Sequence, residues 1–237
     1  MHMDIFGKAL LDFQSGNYNE DIKTYSSLGE EDIMPIPYLF RNFGSMPKLE
    51  QVALENCKGK VLDIGCGAGS HSLHLQQSGF DITALDSSQR AITVCKDRGI
   101  KQIVHANIMD YSAAKFDTLL LLMNGIGIVG NLSGLKTFLK QVAQLLRKGG
   151  CILLDSSDIV YMFETEEGGY DFSDSEVYYG DVKFTIEYQG EKSKEFNWLY
   201  VDFNTLCTIA KEADFKCELL FQGNNYDYLA KLYLAKY

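Results

Sequence analysis

The sequence predicts an α/β fold: a doubly wound, mostly parallel seven-stranded sheet with helices on both faces and an antiparallel last strand. Between residues 60 and 155, short apolar runs alternate with amphipathic segments, which is the pattern of repeated strand–helix units. The run 116–122 is nearly all apolar and indicates a central strand covered on both faces. The runs 215–222 and 226–235 flank a Gly-Asn-Asn turn, so we expect them to close the sheet as an antiparallel hairpin.

The first 59 residues are predicted to form an N-terminal helical arm. Residues 4–13 and 47–57 carry apolar side chains at helical spacing, which favours a helix in each stretch. Between these helices, Pro35 and Pro37 predict an extended segment, because a proline disfavours the helical conformation in the residue before it.

Residues 60–155 and 202–237 are expected to form one domain that contains the sheet. Its first five strands are predicted at 61–64, 81–86, 101–105, 116–122 and 151–155, and its helices at 70–77, 88–97, 132–147 and 203–213. Ser87 or Ser88 can cap the second of these helices. Gly149-Gly150 are expected to end the third, whose apolar residues share one face.

The segment 156–201 differs in composition and is expected to be an insertion after the fifth strand. It is rich in aromatic and acidic residues. Its stretches 182–188 and 195–201 alternate around a Gln-Gly turn, which predicts a β-hairpin cap. The aromatic side chains suit either the wall of a substrate pocket, shared with the N-terminal arm, or a small satellite core.

Composition favours a globular protein of one large domain with an inserted cap, since the chain has 237 residues, 46% of them hydrophobic. The net charge of −10, from 22 basic and 32 acidic residues, opposes nonspecific binding to nucleic acid. The six cysteines form no Cys-x-x-Cys pair, so no metal site is predicted. With neither a long apolar run nor a cationic leader, we expect no membrane partner and a cytoplasmic location.

The stretch 60–70 is the candidate ligand site. A strand that includes Asp63 is followed by alternate glycines at 65, 67 and 69 and then by a helix. Such a turn is expected to leave backbone N–H groups unpaired at the helix start, and the missing side chains let a ligand lie against the backbone. The dinucleotide fingerprint would need glycine at position 70, where Ser70 stands. Asp86 ends the next strand, where an acid can take both hydroxyls of a ribose.

The order Asp63-x-Gly65-x-Gly67-x-Gly69, followed by Asp86, resembles the first two motifs of the class I S-adenosylmethionine-dependent methyltransferases. The resemblance covers residues 60–155 best, and elsewhere only the order of the elements, including a last strand inserted beside the fifth. It implies S-adenosylmethionine as the cofactor, with Asp63 near the methionine moiety and Asp86 on the ribose. The cofactor contacts it implies here are Asp63, Gly65, Cys66, Gly67, Gly69, Asp86 and Ser87.

Two asparagines in later loops are further cofactor candidates under this resemblance. Asn107 stands where the family touches the adenine, usually through an acidic residue; the asparagine keeps the hydrogen bonding and loses the charge. Asn124 follows the central strand, at the edge where open α/β sheets bind ligands, and is placed to meet the methionine end of the cofactor or the substrate. The structural alternatives are a turn for Asn107 and a helix cap for Asn124.

Tyr38 and Arg41 are candidates for a lid or for substrate contact. The resemblance implies this role, because the segment before the first strand commonly folds over the cofactor in such methyltransferases. Ordinary packing of the arm is the alternative.

The resemblance implies transfer of a methyl group to a small-molecule acceptor by in-line displacement. The loop at Asn124 lacks the proline and the aromatic residue of base-methylating relatives, which disfavours a nucleic-acid acceptor. The catalytic residues and the oligomeric state are left open. Candidate bases near the expected pocket are His71, Asp155, Asp158 and Glu164, each with a structural or solvated alternative.

Two other functions remain open on the sequence. A chain can keep this fold as a non-catalytic binding module for S-adenosylmethionine, because fold does not fix function. An NAD-dependent oxidoreductase can use the same type of sheet, although Ser70 in place of the third fingerprint glycine argues against it.

Overall fold

The structure is a computed structural model that describes residues 4–172 and 177–235. The sequence-based expectations for residues 1–3 of the arm, 173–176 of the insertion and 236–237 at the C-terminus lie outside these described residues.

Strands and helices alternate through the middle of the chain. In chain order the strands are β1 (Ile22–Ser26), β2 (Glu31–Met34), β3 (Lys60–Ile64), β4 (Asp81–Asp86), β5 (Ile103–His105), β6 (Phe116–Leu121), β7 (Leu146–Ser157), β8 (Asp181–Tyr188), β9 (Glu191–Lys192), β10 (Phe196–Leu199), β11 (Phe215–Gln222) and β12 (Asp227–Leu234). The α-helices are α1 (Ile5–Gln14), α2 (Ile36–Leu39), α3 (Lys48–Glu55), α4 (Ser70–Gln77), α5 (Gln89–Asp97), α6 (Leu132–Ala143) and α7 (Phe203–Glu212).

The main sheet has seven strands in the order β11-β12-β7-β6-β3-β4-β5. The strands from β7 to β5 pair in parallel, whereas β12 pairs antiparallel with both β7 and β11. The predicted fold class is therefore confirmed, including the last strand inserted beside the fifth strand of the sheet.

The core lies on both faces of this sheet, as the apolar run of β6 predicts. Leu119 and Leu121 pack in the hydrophobic cluster that contains side chains of α6 and α7. Leu120 packs in the opposite cluster, with side chains of α3 and α4. Because successive residues of a strand point to opposite faces, an uninterrupted apolar strand is the sequence signature of helices on both sides.

Helix α6 ends earlier than the sequence predicts. The predicted helix ran to Arg147, but α6 ends at Ala143 and β7 begins at Leu146. The carbonyl of Leu145 accepts a hydrogen bond from the backbone N–H of Phe116 (2.8 Å), which begins the pairing of β7 with β6. Leu145 and Leu146 are buried, and because leucine suits both a buried helix end and a buried strand, their apolar character could not distinguish the two.

A second sheet lies beside the main one, in the order β10-β8-β1-β2, with β9 paired to β8. The pairing of β8 with β10 confirms the predicted hairpin of the insertion. The arm adds β1 and β2 to this sheet, so it is not wholly helical as predicted. These strands were missed because β2 is almost entirely exposed and their partner β8 lies far along the chain.

The proline segment of the arm also differs from the prediction. The backbone is extended at Pro35 (φ −65°, ψ 119°), but the one-turn helix α2 follows at once. Pro37 lies in the first turn of α2, where a proline costs no hydrogen bond because the first N–H groups of a helix have no partner within it.

Across residues 4–172 and 177–235, none of the helices combines the length and the apolar character that crossing a lipid bilayer requires.

Candidate active site

The loop between β3 and α4 is built from glycines whose φ angles are positive. These angles are 72° at Gly65, 53° at Gly67 and 79° at Gly69, a range that favours glycine. A Cβ at Gly69 would lie 2.4 Å from Cδ1 of Ile100, so this glycine allows the loop to pack against the core. A Cβ at Gly65 would meet no atom within 4 Å, so the loop has an open side there.

Several N–H groups of this loop, ahead of the helix start, have partners within the protein. The N–H groups of Gly65 and Cys66 both donate to the carbonyl of Leu85 at the end of β4 (2.8 and 3.1 Å), and that of Gly69 donates to the carbonyl of Cys66 (2.8 Å). These N–H groups are therefore engaged within the protein, while the backbone at Gly65 stays open to a ligand.

Asp86, at the end of β4, links the glycine loop to α5. Its carboxylate accepts hydrogen bonds from the N–H groups of Gly67 (2.9 Å) and Ser88 (2.8 Å). Burial raises the pKa of Asp86, and these two hydrogen bonds oppose that shift. Ser88, rather than Ser87, caps α5 by accepting a hydrogen bond from the N–H of Ala91, which leaves Ser87 exposed on the cavity side.

Asp63 lies near the carboxyl end of β3 and is buried, with 2% of its surface exposed. Its carboxylate accepts a hydrogen bond from the hydroxyl of Ser72 in α4 (2.6 Å). Burial raises the pKa of Asp63, while the charge of His71 and the bonds from Ser72 lower it.

A buried network of charged side chains joins the arm to α3 and α4. The guanidinium of Arg41 donates to the carboxylate of Glu50 and to the carbonyl of Tyr38 (2.6 Å). The second oxygen of Glu50 lies 2.8 Å from Nε2 of His71. Burial raises the pKa of Glu50 most, but the bonds and charges of His71 and Arg41 together bring it below its ordinary value. A buried carboxylate with two such partners stays ionised.

Two residues that border the cavity, Arg41 and Asn124, each hold a buried side-chain atom with no hydrogen-bond partner among the described residues: Nε of Arg41 and Oδ1 of Asn124. Tyr38 lies against the same guanidinium, with its ring centroid 3.9 Å from the Arg41 carbon Cζ. Because buried polar atoms are nearly always paired, an unpaired donor and an unpaired acceptor on one cavity are features that a bound ligand would explain.

The two asparagine candidates differ in how their side chains are engaged. Asn107 is exposed at the edge of the cavity. Its Oδ1 accepts a hydrogen bond from the N–H of Met109 (2.9 Å), which is the turn given above as the alternative role. Asn124 adopts a left-handed conformation (φ 53°) and its side chain makes no capping bond. The side chain of Asn124 therefore does not cap the helix that follows.

The four candidate bases lie at different depths. His71 borders the cavity, bonded to Glu50. Asp158 accepts hydrogen bonds from the hydroxyl of Tyr179 (2.8 Å) and from a backbone N–H, and Glu164 is exposed. Asp155 is buried and accepts from the N–H of Gly125 (3.2 Å). Burial raises the pKa of Asp155 to about 6.

One cavity of about 1980 Å³ joins most of the predicted site residues at the carboxyl edge of the sheet. Gly69 is the exception, because it faces Ile100. The sequence analysis missed Glu50, whose only signal was an acidic residue beside apolar ones on α3. The predicted residues that border the cavity are Tyr38, Arg41, Asp63, Gly65, Cys66, Gly67, Asp86, Ser87, Asn107 and Asn124. In the part of the chain that the structure describes, no group of His, Cys, Asp or Glu could hold a metal ion.

The fold and the site together define an α/β protein that binds its ligand beyond the carboxyl ends of parallel strands. The family model described as a methyltransferase domain matches residues 61–150. The crystal structure of an S-adenosylmethionine-dependent methyltransferase from Bacteroides fragilis, in complex with S-adenosyl-L-homocysteine, is 42% identical, covers 98% of this chain and 95% of that chain, and superposes with a TM-score of 0.91. This chain belongs to the S-adenosylmethionine-dependent methyltransferase family.

Curated relatives match more narrowly. The glycine N-methyltransferase of Rattus norvegicus is 28% identical over 125 residues, which is 45% of this chain and 43% of that protein. The ubiquinone biosynthesis O-methyltransferase of Pelagibacter ubique is 30% identical over 104 residues, or 40% of each. The match spans less than half the length of these curated relatives.

The raised pKa of Asp155 predicts that its carboxyl destabilises the folded protein at neutral pH. The folded pKa of about 6 exceeds the ordinary value of about 3.9, so stability from this group is present below about pH 4 and is lost as the pH rises through about 6. We expect Asp155→Asn to raise the free energy of unfolding in urea by up to about 3 kcal/mol near neutral pH, and by much less at about pH 4. Asp81→Asn, at the exposed far end of β4, is the control; an equal gain for Asp155→Asn at both pH values contradicts the prediction.

The buried network predicts that Arg41→Ala lowers the free energy of unfolding by about 3–5 kcal/mol, because Glu50 is left without one of its partners. Lys48→Ala is the matched control: Lys48 pairs with Glu55 across 3.8 Å with both side chains exposed, so its removal should cost less than about 1 kcal/mol. Adding Glu50→Gln to Arg41→Ala should recover part of the loss. Urea unfolding checks all three, and similar losses for Arg41→Ala and Lys48→Ala would disprove the network's role.

Proposed function

We propose that this chain is an S-adenosylmethionine-dependent methyltransferase that methylates a small molecule in the cavity described above. The observation that carries the proposal is the open glycine loop between Asp63 and Asp86, which borders a cavity at the carboxyl edge of the sheet. Family membership and the relative crystallised with S-adenosyl-L-homocysteine support it.

The residues of the cavity fit S-adenosylmethionine. Its amino-acid end carries a carboxylate and an ammonium group, and the cavity offers one unpaired donor, Nε of Arg41, and one unpaired acceptor, Oδ1 of Asn124. Its ribose presents hydroxyl donors, and Asp86 is a carboxylate within the cavity. A side chain at Gly65 would occupy open space beside the loop, where a ligand can instead approach the backbone.

We assign the cofactor contacts by this chemistry. Arg41 and Asn124 hold the amino-acid end, with Tyr38 stacked on the guanidinium as part of the lid. Asp86 accepts from the ribose hydroxyls, and Ser87 and Asn107 border the nucleoside. The arm and the insertion form the cap over this site.

The chain's main task in this reaction is positioning. Bound S-adenosylmethionine supplies a methyl group that its sulfonium already activates. The cavity walls then hold the acceptor in line, and such orientation alone contributes effective molarities of about 10⁵–10⁸ M. The buried network of Arg41, Glu50 and His71 ties the lid segment to α3 and α4. A cytoplasmic location is part of the proposal, supported by six cysteines that are all free thiols.

The role of Asp86 is testable by isothermal titration with S-adenosyl-L-homocysteine. We expect Asp86→Ala to weaken binding by more than about 1 kcal/mol, the scale of a charge-assisted hydrogen bond. Asp86→Asn should fall between wild type and Asp86→Ala, because it keeps an acceptor for the N–H of Gly67 and loses the charge. Asp81→Ala, at the other end of the same strand, is the control.

Two outcomes would count against this proposal. If wild-type protein gives no heat with S-adenosylmethionine or S-adenosyl-L-homocysteine, the cofactor assignment is wrong. If the cofactor binds but no methyl transfer follows in a labelled-donor screen of small-molecule acceptors, the non-catalytic binding module becomes the better description.

A further inference from the structure

The cavity is larger than one ligand needs. Its volume is about 1980 Å³, whereas pockets for a single small ligand measure about 300–1,000 Å³. One end is bordered by the glycine loop, and the other end is bordered by side chains of the second sheet. The space beside the second sheet is therefore the part available to the methyl acceptor.

The strand register shows which side chains of the second sheet face this space. Phe184 pairs with Phe196 on one side and with Ser26 on the other, and Val182 pairs with Trp198. Directly paired residues point to the same face of a sheet, and all five of these residues border the cavity. The acceptor wall, as we call the side chains of Val182, Phe184, Ile186, Phe196 and Trp198, is thus mainly apolar and aromatic.

The rings of this wall form a contiguous surface. The ring centroids of Phe184 and Phe196 are 6.3 Å apart with planes inclined by 28°, and Phe196 meets Trp198 edge-on at 6.4 Å. The indole of Trp198 lies against Gly127 in the turn after β6, where an added Cβ would come within 2.0 Å of Nε1. This contact holds the wall at a fixed position relative to the cofactor end of the cavity.

Charge around the acceptor space is negative. Glu30 and Asp32 border the cavity and form no ion pair with the described residues. Asp32 pairs with Thr24, which pairs with Ile186, so Asp32 lies on the same face as the acceptor wall. Of the lysines and arginines among the described residues, only Arg41 borders the cavity. Its guanidinium is already paired with the carboxylate of Glu50. Lys183 projects from β8 on the opposite face from Phe184, where it pairs with Glu195.

We propose that the methyl acceptor is an amine carried on a flat aromatic body, without phosphate or carboxylate groups. This inference rests on the proposed function. The aromatic body lies on the acceptor wall, where ring stacking and cation–π attraction both act. The carboxylates of Glu30 and Asp32 favour a cationic acceptor over an anionic one, because they repel an anion placed near them.

The reaction at such an acceptor balances simply. The ammonium form first loses one proton to water, with which exposed Glu30 and Asp32 are in contact. The freed nitrogen lone pair forms the new N–C bond, while the C–S bond of the donor breaks and its electron pair stays on sulfur. The products are the methylated ammonium, which carries the positive charge that the sulfonium loses, and neutral-sulfur S-adenosyl-L-homocysteine.

A shape-matched set of probes tests this inference on protein saturated with S-adenosyl-L-homocysteine. The probes are phenethylamine, its carboxylate counterpart hydrocinnamate, and the saturated analogue cyclohexylethylamine. Trp198 is the single tryptophan of the chain, so its fluorescence reports binding at the wall, and calorimetry supplies the dissociation constants. We expect phenethylamine to bind at least about tenfold more tightly than hydrocinnamate, and several-fold more tightly than cyclohexylethylamine.

Two variants with a control separate the contributions of charge and of the rings. Asp32→Asn keeps an acceptor for the N–H of Ile33 and should reduce the preference for the amine over the carboxylate. Phe196→Leu, at a partly exposed position, should reduce the preference for the aromatic over the saturated amine. Glu187→Gln, on the opposite face of the same sheet, should change neither preference.

Equal or tighter binding of hydrocinnamate, or failure of all three probes to bind, would overturn the inference. The initial titration with S-adenosyl-L-homocysteine separates the two levels of proposal: no heat there defeats the proposed function, whereas cofactor binding without amine selectivity defeats the acceptor assignment alone.

Discussion

The end of β4 determines the shape of the glycine loop. The carbonyl of Leu85 accepts from the N–H groups of Gly65 and Cys66, and the carboxylate of Asp86 accepts from that of Gly67. The backbone of the loop is thus held by its own neighbours rather than by a ligand. A preformed loop lowers the ordering cost of binding. It also makes Asp86 serve twice, since the same carboxylate organises the loop and faces the cavity.

The buried charged side chains are also held by partners within the protein. Taking Arg41, Glu50 and His71 out of water is costly, and the cost is offset only because each finds a charged or hydrogen-bonding partner. The polar atoms left unpaired among the described residues, Nε of Arg41 and Oδ1 of Asn124, belong to side chains that border the cavity. The network therefore fixes a cation of the N-terminal arm beside the cavity and leaves one of its donors unpaired.

How far the sequence predicts the structure depends on how local the determining interaction is. The parallel strands, a serine cap at position 87 or 88 and the cavity position of Asp63 and Asp86 were predictable, because periodicity and motif spacing are local signals. The end of α6 was not, since Leu145 is buried whether it ends a helix or leads into a strand. The paired N–H groups of the glycine loop depend on Leu85, which belongs to a different strand–helix unit. Strand β1 depends on a partner more than 150 residues away.

The pairing of β1 with β8 explains how one cavity is bordered by two different sheets. Most residues of the proposed cofactor end come from consecutive strand–helix units of the main sheet, between Asp63 and Asn124, and the arm adds Arg41 to them. The proposed acceptor end lies along a second sheet that joins the arm to the insertion through β1 and β8. The second sheet meets the main domain at Trp198 on Gly127 and through a hydrophobic cluster that places Ile22 and Tyr188 with Ala91 of α5. The strand pairing of β3, β4 and β6 involves no residue of the arm or the insertion. The proposed acceptor is therefore inferred from the charge and the rings of the second sheet rather than from the motifs of the first.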